Sequence, residues 1–252
     1  MLRSFYIATT GMLSQRSKMD VIINNITNVD TTGYKKDQVM TRSFDDLLLE
    51  RLNDPSILNR NTAVGGQNTG IYVDELVTDF TQGPMEETGR QTDLAITGDG
   101  FFCVQTPEGV RYTRDGNFQV DANGNLLTQD GYYVLGENGG MLNVGNGDFS
   151  VKSDGSIFNN GGQAGRLYIA RFANNDVLRK AGGNLYYPYN GEQSAIAQNP
   201  AVAQGMLEGS NLDLGREMAD MLLTNRTYES NQRILRMVDE SLSKTVNDIA
   251  KF

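Results

Sequence analysis

Large apolar side chains recur every seven residues at both ends of this chain. The N-terminal series runs through Phe5, Met12, Met19 and Ile26, and the C-terminal series runs through Leu214, Met221, Tyr228, Leu235, Leu242 and Ile249. On an α-helix this spacing places the side chains in one narrow stripe, as in helices that pack as coiled coils. The sequence therefore predicts a helix from Leu2 to about Val29 and a long second helix that ends at Ile249, and we expect the two helices to pair.

Four residues after each member of the C-terminal series lies an intervening position, and most of these positions are polar. These positions are Met218, Asn225, Gln232, Asp239 and Val246. Polar core positions weaken a two-helix coiled coil while they specify its register. We therefore expect this stripe to work in a packing larger than one pair of helices.

Between the two helices the composition changes. Residues 61 to 209 hold 25 of the 28 glycines and contain short segments in which apolar and polar residues alternate. Asn-Gly and Asp-Gly dipeptides separate these segments, at 99–100, 115–116, 123–124, 130–131, 138–139, 154–155 and 160–161. Such dipeptides favour tight hairpin turns, so the sequence predicts an antiparallel β-rich central domain. The expected fold class is mixed α and β, with N- and C-terminal helices that pair as a coiled coil.

Four regions are predicted along the chain. Residues 1–35 carry the N-terminal helix of an inner coiled-coil domain, 36–70 form a linker or extended region, 71–204 form the β-rich domain, and 205–252 carry the C-terminal helix. The second region begins with a short amphipathic segment, from Ser43 to Leu52. Residues 54–70, which include NRNTAVGGQNTG at 59–70, have few apolar side chains and therefore indicate a linker or mobile loop.

Composition argues against most kinds of chemistry. A net charge of −9 opposes binding to nucleic acid or to anionic lipid, because the long-range field repels phosphate. The chain has no histidine, which is the commonest proton shuttle near neutral pH and the commonest metal ligand, and its single cysteine permits no internal disulfide. We therefore expect no enzyme activity, no catalytic residues, no cofactor and no bound metal.

Three segments resemble chemical motifs, and each has a simpler interpretation. ITGDGFF at 96–102 lacks the Lys-Ser/Thr of a phosphate-binding loop, and DANGN at 121–125 lacks the carboxylate that completes a calcium loop. Cys103 lies in a strand-like run without a base nearby in the sequence. We interpret the three as a turn, a hairpin turn and a buried small hydrophobic side chain.

The N-terminus predicts no cleavable secretory signal, because its apolar runs, Phe5 to Ala8 and Val21 to Ile23, are too short. A polar cluster ends the first helix and has two interpretations. It consists of Asn24, Asn25, Thr27, Asn28, Asp30, Thr31 and Thr32. These residues either terminate the helix, since Asn and Thr favour caps and turns, or use their side chains to hydrogen-bond backbone groups of a neighbouring subunit.

Four blocks of the sequence resemble the bacterial flagellar rod and hook protein family. RSFYIATTGMLSQRSKMDVIINNITNVDTTGYKK, at the N-terminus, is similar to the family signature of an NN(L/I)AN core followed by T-x-G-(F/Y)-K. The other blocks follow in the family's order: TGRQTDLAITGDGFFCV at 88–104, YTRDGNFQVDANGNLLTQDGYYVLG at 112–136 and GMLEGSNLDLGREMADMLLTNRTYESNQRIL at 205–235. The chain is therefore similar to flagellar basal-body rod proteins of the FlgF and FlgG types.

The resemblance implies a structural subunit of the basal-body rod, the helical tube that transmits motor torque to the hook. It also implies an inner coiled-coil domain made by the terminal helices, binding to copies of itself and to other rod and hook subunits, and passage through the flagellar type III export apparatus without a cleavable signal peptide. The implied location is the periplasm-spanning rod, without membrane insertion.

The resemblance leaves the type of rod subunit open. The short stretch at 54–70 and the segment GRLYIARF favour the proximal rod type. A distal rod protein and a low-copy junction adaptor between rod and hook are the alternatives. A peptidoglycan-cleaving protein would need a catalytic set such as a carboxylate pair in a cleft, and the acidic residues lie mostly in turn dipeptides.

The predicted assembly interface combines the two heptad series with polar and glycine positions of the family motif. It consists of Phe5, Met12, Met19, Asn24, Asn25, Ile26, Asn28, Gly33, Leu214, Met221, Tyr228, Leu235, Leu242 and Ile249. The motif NN-x-x-N that this chain shares with the family favours the intersubunit interpretation for Asn25.

Overall fold

A computed structural model of the protein describes residues 2–52, 61–145, 148–159, 161–191, 194–197 and 200–249. These residues form two compact units, each assembled from separate stretches of the chain. The helical unit takes the described residues before 27, from 37 to 77 and after 213. The β-rich unit takes residues 27–36 and the described residues from 78 to 213.

The helical unit contains two helices, α1 at Leu2–Thr27 and α2 at Leu214–Ile249. Both were predicted from the heptad series, and α1 ends two residues before the predicted Val29. The 36 residues of α2 give a rod of about 54 Å at 1.5 Å per residue. The mixed α and β fold class, with one helix at each end of a β-rich part, is therefore confirmed.

Four strands accompany the helices in the helical unit. They are β1 at Asp37–Ser43, β2 at Leu47–Leu52, β3 at Asn61–Gln67 and β4 at Ile71–Thr78. β1 is paired with β4, and β2 is paired antiparallel with β3, from Leu47 opposite Gln67 to Leu52 opposite Asn61.

Most described residues of the predicted linker or extended region at 36–70 lie in paired strands. Residues 53–60, at the centre of that prediction, lie outside the described residues. Side-chain pattern did not reveal β3, since NTAVGGQ has almost no apolar residues and its pairing with β2 uses backbone groups. The division between units also differs from the predicted boundaries: residues 27–36 belong to the β-rich unit, and 71–77 belong to the helical unit.

The β-rich unit is built from short strands and one 3₁₀ turn at Asn175–Val177. In chain order the strands are β5 Met85–Glu87, β6 Leu94–Thr97, β7 Phe101–Thr106, β8 Gly109–Thr113, β9 Phe118–Val120, β10 Leu126–Thr128, β11 Tyr133–Val134, β12 Phe149–Val151, β13 Ser156–Asn159, β14 Gly162–Arg166, β15 Ile169–Arg171, β16 Leu178–Gly182, β17 Leu185–Pro188, β18 Ala195–Ile196, β19 Ala201–Gln204 and β20 Met206–Glu208.

The largest sheet has the strand order β16-β17-β8-β7-β11-β10-β9, and β15 pairs with both β7 and β18. Smaller sheets join β12-β13-β14, β19 with β6, and β20 with β5. These pairs are antiparallel, as in the hairpin of β7 and β8, where Cys103 lies opposite Tyr112. The antiparallel β-rich prediction is confirmed.

Strand β7 shows how one apolar run serves two cores. Successive side chains on a strand point to opposite faces. Phe102 and Val104 accordingly lie in one buried cluster, while Phe101 and Cys103 lie in a second. The run FFCV is continuously apolar because both faces of this strand are buried.

The predicted turn glycines act in two ways. Gly124, Gly131 and Gly155 follow Asn or Asp and have positive φ angles of 82°, 84° and 80°, as tight turns require. Gly116 does not have a positive φ. A Cβ at this position would lie 1.5 Å from the carbonyl oxygen of Leu94, so glycine is required there by the close approach of two backbone segments.

Candidate functional site

One stripe of α2 is half-buried in the helical unit. Met221, Tyr228, Leu235 and Leu242, all members of the C-terminal heptad series, lie along it. Leu214, at the start of the helix, is 39% exposed, and the side chain of Ile249 lies outside the described residues.

The positions that complete this stripe are not those counted in the sequence. Thr224 is buried and Asn231 and Val238 are half-buried, each three residues after a member of the series. The positions four residues after each member, from Met218 to Val246, are exposed. The assignment of those positions to the core was therefore wrong. A single seven-residue series fixes the period of a helix face, but not whether the intervening residue lies three or four positions further on.

The N-terminal helix buries small and polar side chains together with one large apolar one. Its buried residues are Ala8, Ser14, Ile22 and Asn25. Among the predicted series, Met12, Met19 and Ile26 are half-buried and Phe5 is 45% exposed. α1 and α2 make contact where Gly11 faces Asn231. A Cβ on Gly11 would lie 3.1 Å from Asn231 Nδ2, so the absence of a side chain allows the close approach.

A second stripe with the same three-and-four spacing lies on an exposed face of α2. It consists of Leu223, Thr227, Ser230, Ile234, Met237 and Ser241, and we call it the outer stripe. Its three large apolar side chains are 60%, 39% and 60% exposed, in the order Leu223, Ile234 and Met237. Exposed apolar side chains in a regular row are typical of an interaction surface. Other exposed large apolar side chains of α2, at Leu214, Met218, Leu222 and Val246, lie off this stripe.

The outer stripe borders a groove of about 600 Å³ in the helical unit. Ile234 and Thr227 line one side of the groove, and Ile7, Ala8 and Gly11 of α1 line another. The groove is mostly apolar, and the small residues on α1 leave it open.

Asn25 has a partner within its own chain. Its side chain is 2% exposed; Nδ2 donates to the carbonyl oxygen of Asp37 at 2.9 Å, and the amide of Asp37 donates to Asn25 Oδ1 at 3.1 Å. The side-chain amide thus pairs with a backbone as a neighbouring strand would, and it joins the end of α1 to the start of β1. We predicted a partner in a neighbouring subunit, and the structure instead supplies an intrachain one.

The other polar motif positions have different environments. Asn24 is exposed. Asn28 is half-buried, and its backbone and side-chain oxygens accept hydrogen bonds from Thr31, in the turn that follows α1. Gly33 is buried with φ +66°, and a Cβ there would lie 2.4 Å from the backbone nitrogen of Asp115. Gly33 therefore has a structural role inside the β-rich unit.

Lys35, which follows this glycine in the motif, belongs to a buried ionic cluster with Arg114 and Glu208. The Lys35 Nζ donates to Glu208 Oε1 at 2.5 Å and to the carbonyl oxygen of Thr81 at 2.7 Å. Arg114 Nη1 donates to Glu208 Oε2 at 3.3 Å. The side chains of Lys35 and Glu208 are fully buried, and that of Arg114 is 3% exposed.

Burial sets the electrostatics of this cluster. Desolvation lowers the pKa of Lys35 below its usual value, although the hydrogen bond to Glu208 and its charge act in the opposite direction. Desolvation likewise lowers the pKa of Arg114, against the attraction of Glu208. One carboxylate therefore balances two buried cations. The sequence offered no sign of this pairing: the three residues lie in three separate family blocks, far apart along the chain.

The three segments that resembled chemical motifs have the simpler structures. Residues 98–100 bend and lead into strand β7. Asp121 accepts hydrogen bonds from the backbone amides of Asn123 and Asn125, both at 2.8 Å, in the turn between β9 and β10. Cys103 is fully buried, and desolvation raises the pKa of its thiol.

Two further observations concern metals and membranes. Among the residues described here, His, Cys, Asp and Glu side chains form no group of three or more that could hold a metal ion. In the same part of the chain, neither helix is apolar enough over a sufficient length to span a membrane.

These features define a protein with a β-rich unit and two long terminal helices, one of which exposes a regular apolar stripe. Three of its segments match known families: residues 5–35 match the flagella basal body rod protein family, 95–159 match the flagellar hook protein FlgE/F/G D1 domain, and 203–249 match the flagellar basal body rod FlgEFG protein C-terminal family.

Comparison with whole proteins agrees. The chain is 38% identical to the flagellar basal-body rod protein FlgG of Bacillus subtilis, over 98% of this chain and 99% of the relative. It is 32% identical to the flagellar hook-basal body complex protein FlhO of the same organism, over the full length of both, and 32% identical to the rod protein FlgF of Caulobacter vibrioides, over 98% of both. The chain belongs to the flagellar basal-body rod protein family, which is a family of structural proteins of the flagellum.

Proposed function

We propose that this protein is a rod subunit that polymerises into the torque-transmitting tube of the flagellar basal body, and that the outer stripe of α2 contacts a neighbouring copy. The regular spacing of Leu223, Ile234 and Met237 on one exposed face carries this proposal. A helix with two heptad stripes can pack on both sides at once. The half-buried stripe packs within the helical unit, and the outer stripe is left for a partner.

The pairing of α1 with α2 as a coiled coil is part of the same proposal. The contact of Gly11 with Asn231 and the three-and-four spacing of the half-buried stripe both support it. This stripe is partly polar, because it includes Thr224 and Asn231. Polar core positions specify the register of two helices but weaken their pairing, so the stripe suits a packing of more than two helices.

The size of the apolar gain supports polymerisation. Full burial of a Leu or Met side chain contributes about 1.5 to 3 kcal/mol. Leu223 and Met237 are each 60% exposed in the single chain, so much of that gain is available only on association. Because the same contact recurs at every subunit of a helical assembly, a modest gain per contact is sufficient to favour a tube. The groove beside the stripe gives an incoming helix a place to lie.

We propose the distal, FlgG type of rod subunit in place of the proximal type that the sequence favoured. The identity to FlgG of Bacillus subtilis is 38%, against 32% to FlgF of Caulobacter vibrioides, at similar coverage.

We also propose that the subunit reaches the rod through the flagellar type III export apparatus. In the rod, which we place in the periplasm-spanning part of the basal body, it binds other rod and hook subunits. Of the predicted interface residues, the exposed Phe5, Asn24 and Leu214 suit contacts between subunits. The half-buried members of both series suit contacts within the helical unit.

Two adjacent leucines test the proposal. Leu223 and Leu222 are 60% and 61% exposed, but only Leu223 lies on the outer stripe, and Leu222 points about 100° away around the helix. We expect Leu223→Ser to reduce the yield of intact hook-basal bodies at least tenfold and Leu222→Ser to leave it within about twofold of wild type. Export of each variant into the medium is measured separately, so that a secretion defect is not read as an assembly defect.

Wild-type yield from Leu223→Ser with normal export would show that the outer stripe does not contribute to assembly. An equal loss of yield from both variants would show that assembly depends on the total apolar surface of α2 and not on this stripe. Counting the copies of this protein in each purified basal body separates a polymerising subunit, present in turns of a helix, from a junction adaptor present only a few times.

A further inference from the structure

The chain passes between the helical unit and the β-rich unit four times, after residues 26, 36, 77 and 213. Inside the β-rich unit, three segments lie next to these passages. They are residues 27–36, 78–83 and 206–213. The points at which the chain enters and leaves the β-rich unit are therefore set by the contacts that these three segments make inside it.

Backbone and amide hydrogen bonds tie the three segments to one another. The amide of Gly33 donates to the carbonyl oxygen of Glu208 at 2.7 Å, and that of Asp79 donates to the carbonyl oxygen of Lys36 at 2.9 Å. Asn211 joins all three, because its Oδ1 accepts from the amide of Lys36 at 2.9 Å and its Nδ2 donates to the carbonyl oxygen of Asp79 at 2.8 Å.

The buried charges act on the same three segments. The Glu208 carboxylate accepts hydrogen bonds from Lys35 in the first segment, from the amide of Gly83 in the second, and from Arg114 in the body of the unit. The ammonium of Lys35 also donates to the carbonyl oxygen of Thr81 in the second segment. Glu208 therefore contributes both its backbone and its side chain to holding residues 27–36.

We propose that Glu208, Lys35 and Arg114 form an ionic anchor that binds residues 27–36 in one fixed position of the β-rich unit, with Glu208 as the positioning residue. The anchor fixes the points at which the chain enters and leaves this unit. It requires residues separated by 173 positions in the sequence, so the N-terminal segment takes its final place only when Glu208 is present. This inference concerns the single subunit and does not depend on the proposed assembly.

Physical chemistry indicates a role in position rather than in overall stability. Removing three charges from water costs as much as or more than their mutual attraction returns, so a buried ionic cluster adds little net stability. Losing one partner is different, because the remaining charge stays buried and uncompensated. Loss of Glu208 leaves two cations, whereas loss of Lys35 leaves the neutral pair of Arg114 and Glu208.

Amide hydrogen exchange in the purified full-length protein tests the anchor. Glu208→Gln keeps the shape of the side chain and removes its charge. We expect exchange at the amides of Gly33, Lys36 and Asp79 to rise at least about a hundredfold. The amide of Val144, which donates to Gly124 at 2.7 Å elsewhere in the same unit, is the internal reference, and its exchange should change less than about threefold.

A pair of lysine variants provides the matched control. Lys35→Met removes the buried charge, and Lys36→Met removes a partly exposed ammonium, 21% accessible and 3.6 Å from Asp79. Lys35→Met should raise exchange at Gly33 and Asp79 at least about tenfold, and Lys36→Met less than about fivefold. Because Lys35→Met leaves a neutral pair, it also serves if Glu208→Gln does not fold.

The double variant Lys35→Met/Glu208→Gln should exchange more slowly at Gly33 than Glu208→Gln alone, because one uncompensated cation is removed. Unchanged exchange at Gly33 in Glu208→Gln or in Lys35→Met would overturn the anchor. So would an equal rise at Gly33 and Val144, which would show that the cluster stabilises the whole unit rather than this segment.

Discussion

At the residue scale, the family motif at the end of α1 carries three separate structural roles. The side-chain amide of Asn25 hydrogen-bonds the backbone of Asp37. Gly33 packs against the backbone of Arg114 and Asp115. Lys35 belongs to the buried ionic cluster. We predicted Asn25 and Gly33 as interface residues on the strength of the shared motif, and we predicted no role for Lys35. Their roles differ because each is set by a partner that lies elsewhere in the chain.

Gly33→Ala should be strongly destabilising, and Gly89→Ala is its matched control. Both glycines have nearly the same φ, +66° and +69°, so both substitutions incur similar backbone strain, of about 1 kcal/mol. Only at Gly33 would the new Cβ meet backbone atoms, at 2.4 Å and 2.5 Å, and at Gly89 it would meet nothing within 4 Å. We expect Gly33→Ala to lower the free energy of unfolding of the β-rich unit by at least about 2 kcal/mol more than Gly89→Ala does.

The single thiol supplies the measurement. Cys103 is buried in the β-rich unit, and burial raises the pKa of its thiol, so it reacts with an alkylating reagent only when the unit opens. The rate of labelling in native buffer reports the free energy of that opening. Equal labelling rates in Gly33→Ala and Gly89→Ala would show that the close contact at Gly33 is easily relaxed.

Asn25→Ala should lower the stability of the helical unit by about 1 to 3 kcal/mol, because the substitution leaves the backbone amide and carbonyl of Asp37 without this partner. Lys18→Ala, at an exposed position of the same helix, should change stability by less than about 0.5 kcal/mol. Urea unfolding followed by the helical circular dichroism signal compares them. A neutral Asn25→Ala would mean that the buried amide does no more than end the helix.

At the scale of elements, the sequence predicted α1 and α2 well because their heptad series span many turns. It predicted the partner positions on α2 less well, since Asn225 and Gln232 were taken as core and Thr224 and Asn231 occupy that place. The β2–β3 pair was missed for a different reason. Its second strand is held by backbone pairing and has almost no apolar side chains, so hydrophobic periodicity could not indicate it.

Leu235→Asp tests the half-buried stripe. A carboxylate there would lose water without gaining a partner, which costs about 2 kcal/mol or more, so we expect the helical unit to lose stability and the subunit to fail to enter the rod. Gln232→Asp, on an exposed position of the same helix, should assemble normally. Cys103 should remain protected in both variants, because the β-rich unit is unaffected. Normal motility with Leu235→Asp as the only copy would contradict the role of this stripe.

At the scale of the whole molecule, the sequence predicted the order of helix, β-rich part and helix, and the resemblance predicted the family that the comparisons show. The division into units could not be predicted from composition. Residues 28–36 follow α1 directly, yet together with Thr27 they belong to the β-rich unit, because Gly33 and Lys35 bind Glu208 near the other end of the chain. Long-range pairs of this kind have no local signature in a single sequence.

Assembly of the rod requires that the apolar faces exposed in one chain are covered by neighbouring copies. Cryo-electron microscopy of isolated hook-basal bodies, at a resolution that assigns side chains, measures this directly. We predict that many copies of this chain follow a helical path in the rod and that Leu223, Ile234 and Met237 of each copy are buried against a neighbouring copy. A rod in which these side chains of α2 face solvent, or in which this chain is present only at a junction, would contradict the account.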